Sequence, residues 1–203
     1  ITVKTTDGNY TASCTIEVTQ IYTITFDKNG SDVTGTMTAQ AFEEGSPVLL
    51  NQNSFSRRGY TFAGWNISGM DDTEHFYDDE TTTDATITKT MATDFMNLRA
   101  SAGTVTFAAQ WTANKYTVVY NLNGAKGDTP NATKCTYGTA CTLTDMATPT
   151  FYKGGKYLAG WSMSENANSA AYTTTATNLT SVDGDTVTLY AVWANCLAGS
   201  YHP

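Results

Sequence analysis

The chain has 203 residues, which is enough for one large domain or two small ones. Charged residues make up only 15% and aromatic residues 12%, a composition that suits half-buried strands better than helices. The net charge of −8, with only 11 scattered Lys and Arg residues, argues against nucleic-acid binding. No run of about eighteen apolar residues occurs, so we expect no membrane insertion of this segment. The sequence therefore predicts a mainly β fold.

Residues 1–20 predict a β-hairpin. Apolar residues alternate with polar ones around Val3 and again from Ala12 to Val18, on either side of a turn at residues 7–9. The stretch resembles the last two strands of a group 2 bacterial immunoglobulin-like (Ig-like) domain, which implies a truncated Ig-like sandwich. The chain begins inside this pattern without Met or a signal peptide, so we expect a piece of a longer protein.

A seven-residue motif occurs twice, as GYTFAGW at residues 59–65 and as GKYLAGW at residues 155–161. Each copy reads as a short strand in which Gly64 or Gly160 leaves room for a close approach to the backbone. Two copies predict two small domains, each of roughly 80 to 95 residues and able to fold alone. We place the first repeat at residues 21–113 and the second repeat at residues 116–195.

The flanking elements of the two repeats match in order. Each repeat opens on a strand, Tyr22–Phe26 or Tyr116–Tyr120, and closes on a strand that ends in Trp111 or Trp193. The opening strands are followed by Asn29-Gly30 and Asn123-Gly124, dipeptides that supply positive φ, so we expect the chain to reverse there in a tight hairpin. The two repeats should therefore share one fold.

The first repeat is 14 residues longer than the second between its two tryptophans. We expect the insertion near residues 82–103. Met91, Phe95, Met96 and Leu98 are spaced there as in a short helix.

Taken together, these motifs resemble the Listeria–Bacteroides repeat, the B-repeat of internalin-type surface proteins. The resemblance covers about residues 22–113 and 116–195. It implies small β-grasp-like (ubiquitin-like) α+β domains on a secreted or wall-anchored bacterial protein, used as a spacer or in adhesion. Family members commonly have an aromatic residue after the first Gly of the motif; Tyr60 keeps this feature and Lys156 does not.

The four tryptophans admit two interpretations. Trp65, Trp111, Trp161 and Trp193 could line a carbohydrate-binding face, or they could form one core pair in each repeat. We favour the core pair, because aromatic side chains contribute the largest apolar area in small domains.

Residues that carry chemistry are few. His75 and His202 have no nucleophile motif around them, so we predict no catalytic residues and no enzyme. The acidic cluster from Asp71 to Glu80 could hold Ca²⁺, but it lacks the spacing of a calcium loop, and we favour a solvated loop. We predict no metal site and no cofactor.

The four cysteines form no Cys-x-x-Cys pair, which argues against zinc. Cys135 and Cys141 align with apolar residues of the first repeat, so they form either a disulfide or two small buried thiols. Cys14 is expected to be a buried single thiol. Cys196 opens the tail at residues 196–203, which resembles the start of a Cys-rich segment.

Two functions remain open. The repeats could be a spacer or stalk of an adhesin-like protein, exported to the bacterial cell surface or cell wall. Alternatively, they could be a binding module for a host or cell-surface protein or a glycan, acting through strand edges, aromatics or the insertion, where exposure of Phe95 and Met96 would favour binding. The short linker Thr112–Lys115 predicts limited freedom between the repeats, and we expect a monomer.

Overall fold

The computed structural model describes residues 2–4, 11–14, 21–43, 48–67, 75–76, 86–87, 103–144 and 150–196. All regular elements within these ranges are β-strands, which confirms the mainly β prediction. The helix expected around Phe95 and Met96 falls outside the described residues. The backbone divides into two compact units, one within residues 1–30, 34–55 and 63–110 and the other within residues 31–33, 56–62 and 111–203.

The N-terminal residues form a two-stranded antiparallel sheet. Strand β1 (Thr2–Lys4) pairs with β2 (Thr11–Ser13), with Val3 opposite Ala12, as the alternating pattern predicts. Cys14 follows β2 and is exposed, so the prediction of a buried thiol is wrong. The strand that would follow lies outside the described residues, and the Ig-like origin stays a prediction.

The first repeat contains a five-stranded sheet with the order β5-β3-β11-β8-β9. Two short ribbons, β4 with β7 and β6 with β10, accompany it. The strands of this repeat are β3 (Ile21–Asp27), β4 (Val33–Thr34), β5 (Gln40–Glu43), β6 (Val48–Leu49), β7 (Ser56–Arg57), β8 (Tyr60–Ile67), β9 (His75–Phe76), β10 (Thr86–Ile87) and β11 (Thr104–Ala113).

The second repeat has the same arrangement, except that its described sheet has no strand in the place of β9. Its sheet has the order β14-β12-β19-β17, and its ribbons are β13 with β16 and β15 with β18. These strands take the places of β5, β3, β11 and β8 and of the two ribbons of the first repeat, so the predicted common strand order is confirmed. The strands are β12 (Lys115–Asn121), β13 (Lys126–Gly127), β14 (Thr133–Thr136), β15 (Cys141–Thr142), β16 (Phe151–Tyr152), β17 (Lys156–Ser162), β18 (Thr175–Ala176) and β19 (Thr186–Asn195).

The opening and closing strands of each repeat are direct neighbours and run parallel. In the first repeat β3 pairs with β11 from Thr23 opposite Thr104 to Asp27 opposite Ala108. In the second, β12 pairs with β19 from Thr117 opposite Thr186 onward. Alternate residues of both strands are buried on one face, the period-2 pattern that fixes the register of a half-buried strand.

One tryptophan lies at the centre of each core. Trp65 and Trp161 are fully buried. The ring of Trp65 lies 5.1 Å from that of Phe26, and the ring of Trp161 lies 4.7 Å from that of Tyr120, which holds the position of Phe26. The core of the second repeat also contains the buried residues Val118, Leu143, Phe151, Leu189 and Ala191. The core interpretation is therefore confirmed for this pair.

Trp111 and Trp193, at the ends of the closing strands, are only partly buried. Trp193 donates from Nε1 to the carbonyl oxygen of Leu122 at 3.0 Å and packs edge-on against Phe151. Trp193 therefore covers the margin of the second core, and the predicted pair of core tryptophans is unequal in depth.

The glycine before the core tryptophan of the second repeat is required by a backbone contact. Gly160 has φ of +144°, and a Cβ there would collide with the carbonyl oxygen of Tyr172. That carbonyl accepts a hydrogen bond from the N–H of Trp161 at 2.7 Å. The predicted close approach at Gly160 is confirmed, and the neighbour is the protein's own chain.

The tight hairpins predicted at the Asn-Gly dipeptides are wrong, although the positive φ is confirmed at Asn29 and Asn123, both at 51°. The strand that pairs antiparallel with β12 is β14, which begins only at Thr133. The turn at Asn123 leads first into β13, which pairs with β16. The dipeptide therefore directs the chain away from the sheet into a separate ribbon.

The insertion of the first repeat is divided by a strand. Ile87 of β10 pairs with Val48, as Ala176 of β18 pairs with Cys141. Ile87 follows Trp65 by 22 residues, whereas Ala176 follows Trp161 by 15. Seven of the 14 extra residues thus precede β10 and seven follow it, so the single block predicted at residues 82–103 needs correction. The side chains of that segment lie outside the described residues.

Candidate functional site

Residues suited to metal binding are not assembled in the part of the chain that the structure describes. No group of three or more His, Cys, Asp or Glu side chains lies close enough there to hold a metal ion. The acidic cluster from Asp71 to Glu80 and His202 lie outside the described residues, apart from the backbone of His75 and Phe76 in β9. No described helix is long and apolar enough to cross a membrane. The candidate sites are therefore the central strand pair and one exposed surface.

The central strand pair is extended beyond its ladder by an asparagine in each repeat. Asn29 donates from Nδ2 to the carbonyl oxygen of Ala109 at 2.9 Å, and Asn123 donates from Nδ2 to that of Ala191 at 3.1 Å. Both alanines are fully buried on the closing strand. The asparagines therefore link the end of the opening strand to the closing strand.

The backbone of the same turns is fixed by short side-chain contacts. The N–H of Asn29 donates to Oδ1 of Asp27 at 2.8 Å, and the N–H of Asn123 donates to Oδ1 of Asn121 at 2.9 Å. Such contacts, two residues apart, define an Asx turn and tolerate the left-handed conformation. Sequence reasoning had assigned these residues to the turn alone. We call the hydrogen bond from the asparagine Nδ2 to the alanine carbonyl the asparagine tether. Its sequence signal was the alanine two residues before the closing tryptophan in both repeats.

An exposed surface of the second repeat carries two tyrosines, which we call the tyrosine surface, made of Tyr152 and Tyr157. Tyr152 is 65% exposed and Tyr157 is 49% exposed. They flank a hairpin closed by the N–H of Lys156, which donates to the carbonyl oxygen of Lys153 at 3.0 Å. Exposed aromatic rings of this kind are enriched where proteins bind partners.

Three lysines neighbour the two tyrosines in sequence or in strand register. Lys126 is the register partner of Tyr152 across β13 and β16, and its side chain is exposed. Lys156 donates from Nζ to Oδ1 of Asn195 at 2.9 Å, and Lys153 donates to the carbonyl oxygen of Asn123 at 2.8 Å. Both acceptors are neutral, so these contacts leave the lysine charges in place. The tyrosine surface therefore has lysines as neighbours in a chain whose net charge is −8.

The first repeat has a different surface at these positions. The tyrosines are replaced by Ser56 and Thr61 when the buried Phe55 and Phe151 are aligned. Arg57, in the place of Lys153, pairs with the carboxylate of Asp32 at 2.9 Å and lies 4.0 Å from the ring centre of Tyr60. The Arg57 guanidinium holds the pKa of Asp32 below its usual range by hydrogen bonding. The tyrosine surface therefore belongs to the second repeat.

The turn before the closing strand of the second repeat is built on aspartates. Oδ2 of Asp185 accepts a hydrogen bond from the hydroxyl of Thr180 at 2.7 Å, and Oδ1 accepts one from the N–H of Thr186 at 2.8 Å. The hydrogen bond from Thr180, and to a lesser degree that from Thr186, lowers the pKa of Asp185 from its ordinary value. Asp183 accepts a hydrogen bond from the N–H of Lys115 at 2.8 Å. The two carboxylates stabilise the turn and the start of β12.

The two cysteines of the second repeat are joined. Cys135 in β14 and Cys141 in β15 form a disulfide with Cα atoms 5.4 Å apart, and both are buried. This distance lies in the usual range for disulfides. The bond links the edge strand of the sheet to the ribbon of β15 and β18.

Comparisons with known proteins support the division of the chain into two repeats. A family model of the Listeria-Bacteroides repeat domain matches residues 22–94 and 116–192. The chain is 28% identical over 192 residues to a protein named as a membrane protein from Evansella cellulosilytica, and 27% identical over 163 residues to Internalin H of Listeria monocytogenes. These alignments cover 95% and 79% of the chain. The chain spans only 24% of the length of each of these two relatives.

Proposed function

Because the chain belongs to the Listeria-Bacteroides repeat family, we propose that it is a non-catalytic repeat region of an exported bacterial surface protein, in which the two repeats act as a spacer or stalk. The relatives named as a membrane protein and as an internalin support a location at the cell surface or cell wall. The proposal needs no pocket, since a stalk works through length and stiffness.

The observation that carries the proposal is the continuity of the chain between the repeats. The closing strand β11 ends at Ala113 and the next opening strand β12 begins at Lys115, so only Asn114 lies between them. Asn114 is buried, donates from Nδ2 to the carbonyl oxygen of Ser181 at 2.8 Å, and accepts a hydrogen bond from the N–H of Tyr137 at 2.8 Å. Such a connection favours a stalk of limited freedom.

We assign each repeat to a β-grasp-like fold, residues 21–113 and 116–195. The parallel pairing of the first and last strands at the centre of each sheet supports this assignment. Residues 1–20 are assigned to the end of an Ig-like domain, and residues 196–203 to the start of a Cys-rich segment. These boundaries can be tested by limited proteolysis of the longer protein.

The test of the spacer role is a replacement in the longer protein. Residues 21–195 are exchanged for an unrelated pair of rigid β domains of similar length, and in a second variant they are deleted. A spacer predicts that the exchange restores attachment or activity of the distal domains and that the deletion does not. Loss of function in both variants would contradict the spacer role. Antibody labelling of intact cells tests the surface location.

A second candidate function is ligand binding through the tyrosine surface. Two exposed tyrosines beside Lys126 and Lys156 fit an anionic glycan, since aromatic rings stack on sugars and ammonium groups pair with acidic substituents. The first repeat offers a natural control, because Tyr152→Ser with Tyr157→Thr copies its residues. Binding to a glycan array that this double variant loses would support the binding module. Equal binding by both proteins, or none by either, would contradict it.

A further inference from the structure

We infer that each repeat is a mechanical clamp that resists tension along the chain. The inference goes beyond the spacer role, which concerns length, and it depends on that role for its biological meaning. It starts from where the chain enters and leaves each sheet. The first repeat is entered through β3 and left through β11, and the second is entered through β12 and left through β19.

In both repeats the entering and leaving strands are hydrogen-bonded to each other and run parallel. The N-terminal end of one strand and the C-terminal end of its partner therefore lie at opposite ends of the pair. Tension applied to the chain draws the two strands past each other along their length. All rungs of the ladder are loaded together, because the bonds of a parallel pair are evenly spaced along it.

The ladder begins one residue before each closing strand and is supplemented by side-chain hydrogen bonds. At the entry end, the N–H of Thr23 donates to the carbonyl oxygen of Gly103 at 2.9 Å, and the N–H of Thr117 donates to that of Asp185 at 2.9 Å. These acceptors directly precede the closing strands. The first repeat adds a bond between the hydroxyls of Thr25 and Thr106 at 3.0 Å.

At the exit end, the asparagine tethers continue the ladder. Asn29 and Asn123 follow the last rungs of their ladders and hold the carbonyls of Ala109 and Ala191. In the second repeat the indole of Trp193 adds a contact to the carbonyl of Leu122. Tension leaves the closing strand at this end, so the tethers lie where the load is applied.

The two repeats are connected in series by a single residue between their strands. Since β11 and β12 are separated by Asn114 alone, the force on the end of the first clamp is the force on the start of the second. Load on the chain therefore reaches both clamps, and the weaker one yields first.

The test is single-molecule force spectroscopy on the full chain. In the first geometry the chain is held at its N and C termini, which shears both clamps. In the second it is held at the N terminus and at Val182→Cys, with Cys14→Ser and Cys196→Ser. Val182 is 61% exposed and lies just before β19, at the same end of the pair as the start of β12. This second geometry peels the second clamp open one rung at a time and leaves the first clamp in shear.

The two unfolding events can be told apart by length in the first geometry. At about 3.6 Å per residue we expect unfolded contour lengths of roughly 330 Å for the first repeat and roughly 270 Å for the disulfide-closed second repeat. Reduction should lengthen only the second event, by roughly 16 Å, because the residues between Cys135 and Cys141 are released.

We expect the unfolding force of the second repeat to fall to less than half when the handle moves to residue 182, while the force of the first repeat stays unchanged. Asn123→Gly, held at the termini, should lower the force of the second event. Leu143→Ala, buried but outside the ladder, should lower thermal stability with little change in that force. Equal forces in the two geometries would overturn the clamp and leave the replacement test of the spacer unaffected.

Discussion

Asn123 donates from Nδ2 to the carbonyl oxygen of Ala191 at 3.1 Å, joining residues 68 positions apart. The same Nδ2 donates to the carbonyl oxygen of Glu165 at 2.8 Å, so one amide group links the opening turn to two other segments. Asn29 makes the equivalent contact with Ala109 in the first repeat. The asparagine therefore acts as a turn residue and as a tertiary contact at once.

We predict that Asn123→Gly lowers the free energy of unfolding of the second repeat by about 1 to 2 kcal/mol, because two hydrogen bonds to carbonyl oxygens are lost. Glycine adopts the positive φ of 51° without strain, so backbone strain adds nothing to the loss. Asn123→Ala should cost about 1 kcal/mol more, since alanine is strained in that conformation. Urea unfolding, followed by hydrogen exchange in each repeat, measures both.

The matched control is Asn29→Gly, which should weaken the first repeat and leave the second unchanged. If Asn123→Gly and the unmodified chain unfold at the same urea concentration, the tether contributes nothing to stability.

The repeat, the strands and the buried Trp65 and Trp161 could be predicted because they depend on local alternation and on the matching of two copies. The parallel pairing of β3 with β11 could not be derived from spacing, since the partners lie about 80 residues apart and no short-range pattern records it. The same holds for the tether to Ala191. The hairpin prediction at Asn123 went wrong because an Asn-Gly dipeptide specifies a turn and leaves the partner of the next strand open.

The tyrosine surface illustrates a second limit. Tyr152 and Tyr157 are ordinary strand residues by pattern, and only the structure shows that both rings are exposed on either side of the bridge between Lys153 and Lys156. The sequence nevertheless held a clue, since the first repeat has Ser56 and Thr61 at the aligned positions. A difference between two copies of one fold marks residues that the fold does not require.

The disulfide between Cys135 and Cys141 gives a redox prediction. Closing a loop with a sequence separation of 6 should stabilise the second repeat by about 2 kcal/mol through the lost entropy of the unfolded chain. We expect a reducing agent to lower the melting temperature of the second repeat and to leave the first unchanged, because Phe42 and Val48 hold the equivalent positions there. The double variant Cys135→Ala, Cys141→Ala should be insensitive to the reducing agent, and sensitivity in that variant would count against this assignment.

The carboxylate of Asp185 gives a pH prediction. Its pKa is lowered in the folded chain by the hydroxyl of Thr180 and the N–H of Thr186. A carboxyl group whose pKa is lower in the folded state than in the unfolded state stabilises the fold above its unfolded-state pKa. This stabilisation is lost as the pH falls through the folded-state pKa, so the second repeat should lose stability below about pH 4. Urea midpoints measured from about pH 6 down to about pH 2 should fall less steeply in Asp185→Asn than in the unmodified chain. Asp128→Asn removes an equal charge from an exposed position and serves as the charge-matched control.

The last prediction concerns the tryptophan at the centre of each core. Trp161→Ala should destabilise the second repeat by about 3 to 5 kcal/mol, because a fully buried indole is replaced by a cavity beside Tyr120 and Phe151. A small domain has little more stability than this, so the second repeat should unfold. Hydrogen exchange should then show protection kept in β3 and β11 and lost in β12 and β19.

Trp161→Phe separates the loss of packing from the loss of a polar group. The buried Nε1 of Trp161 has no hydrogen-bond partner among the described residues, so replacing the indole with a phenyl ring sacrifices no hydrogen bond and leaves only a smaller cavity. We expect a milder loss, about 1 to 2 kcal/mol, with the repeat still folded. If Trp161→Ala removed protection from both repeats equally, the two cores would have to fold as one, and the description of two separately stable repeats would fail.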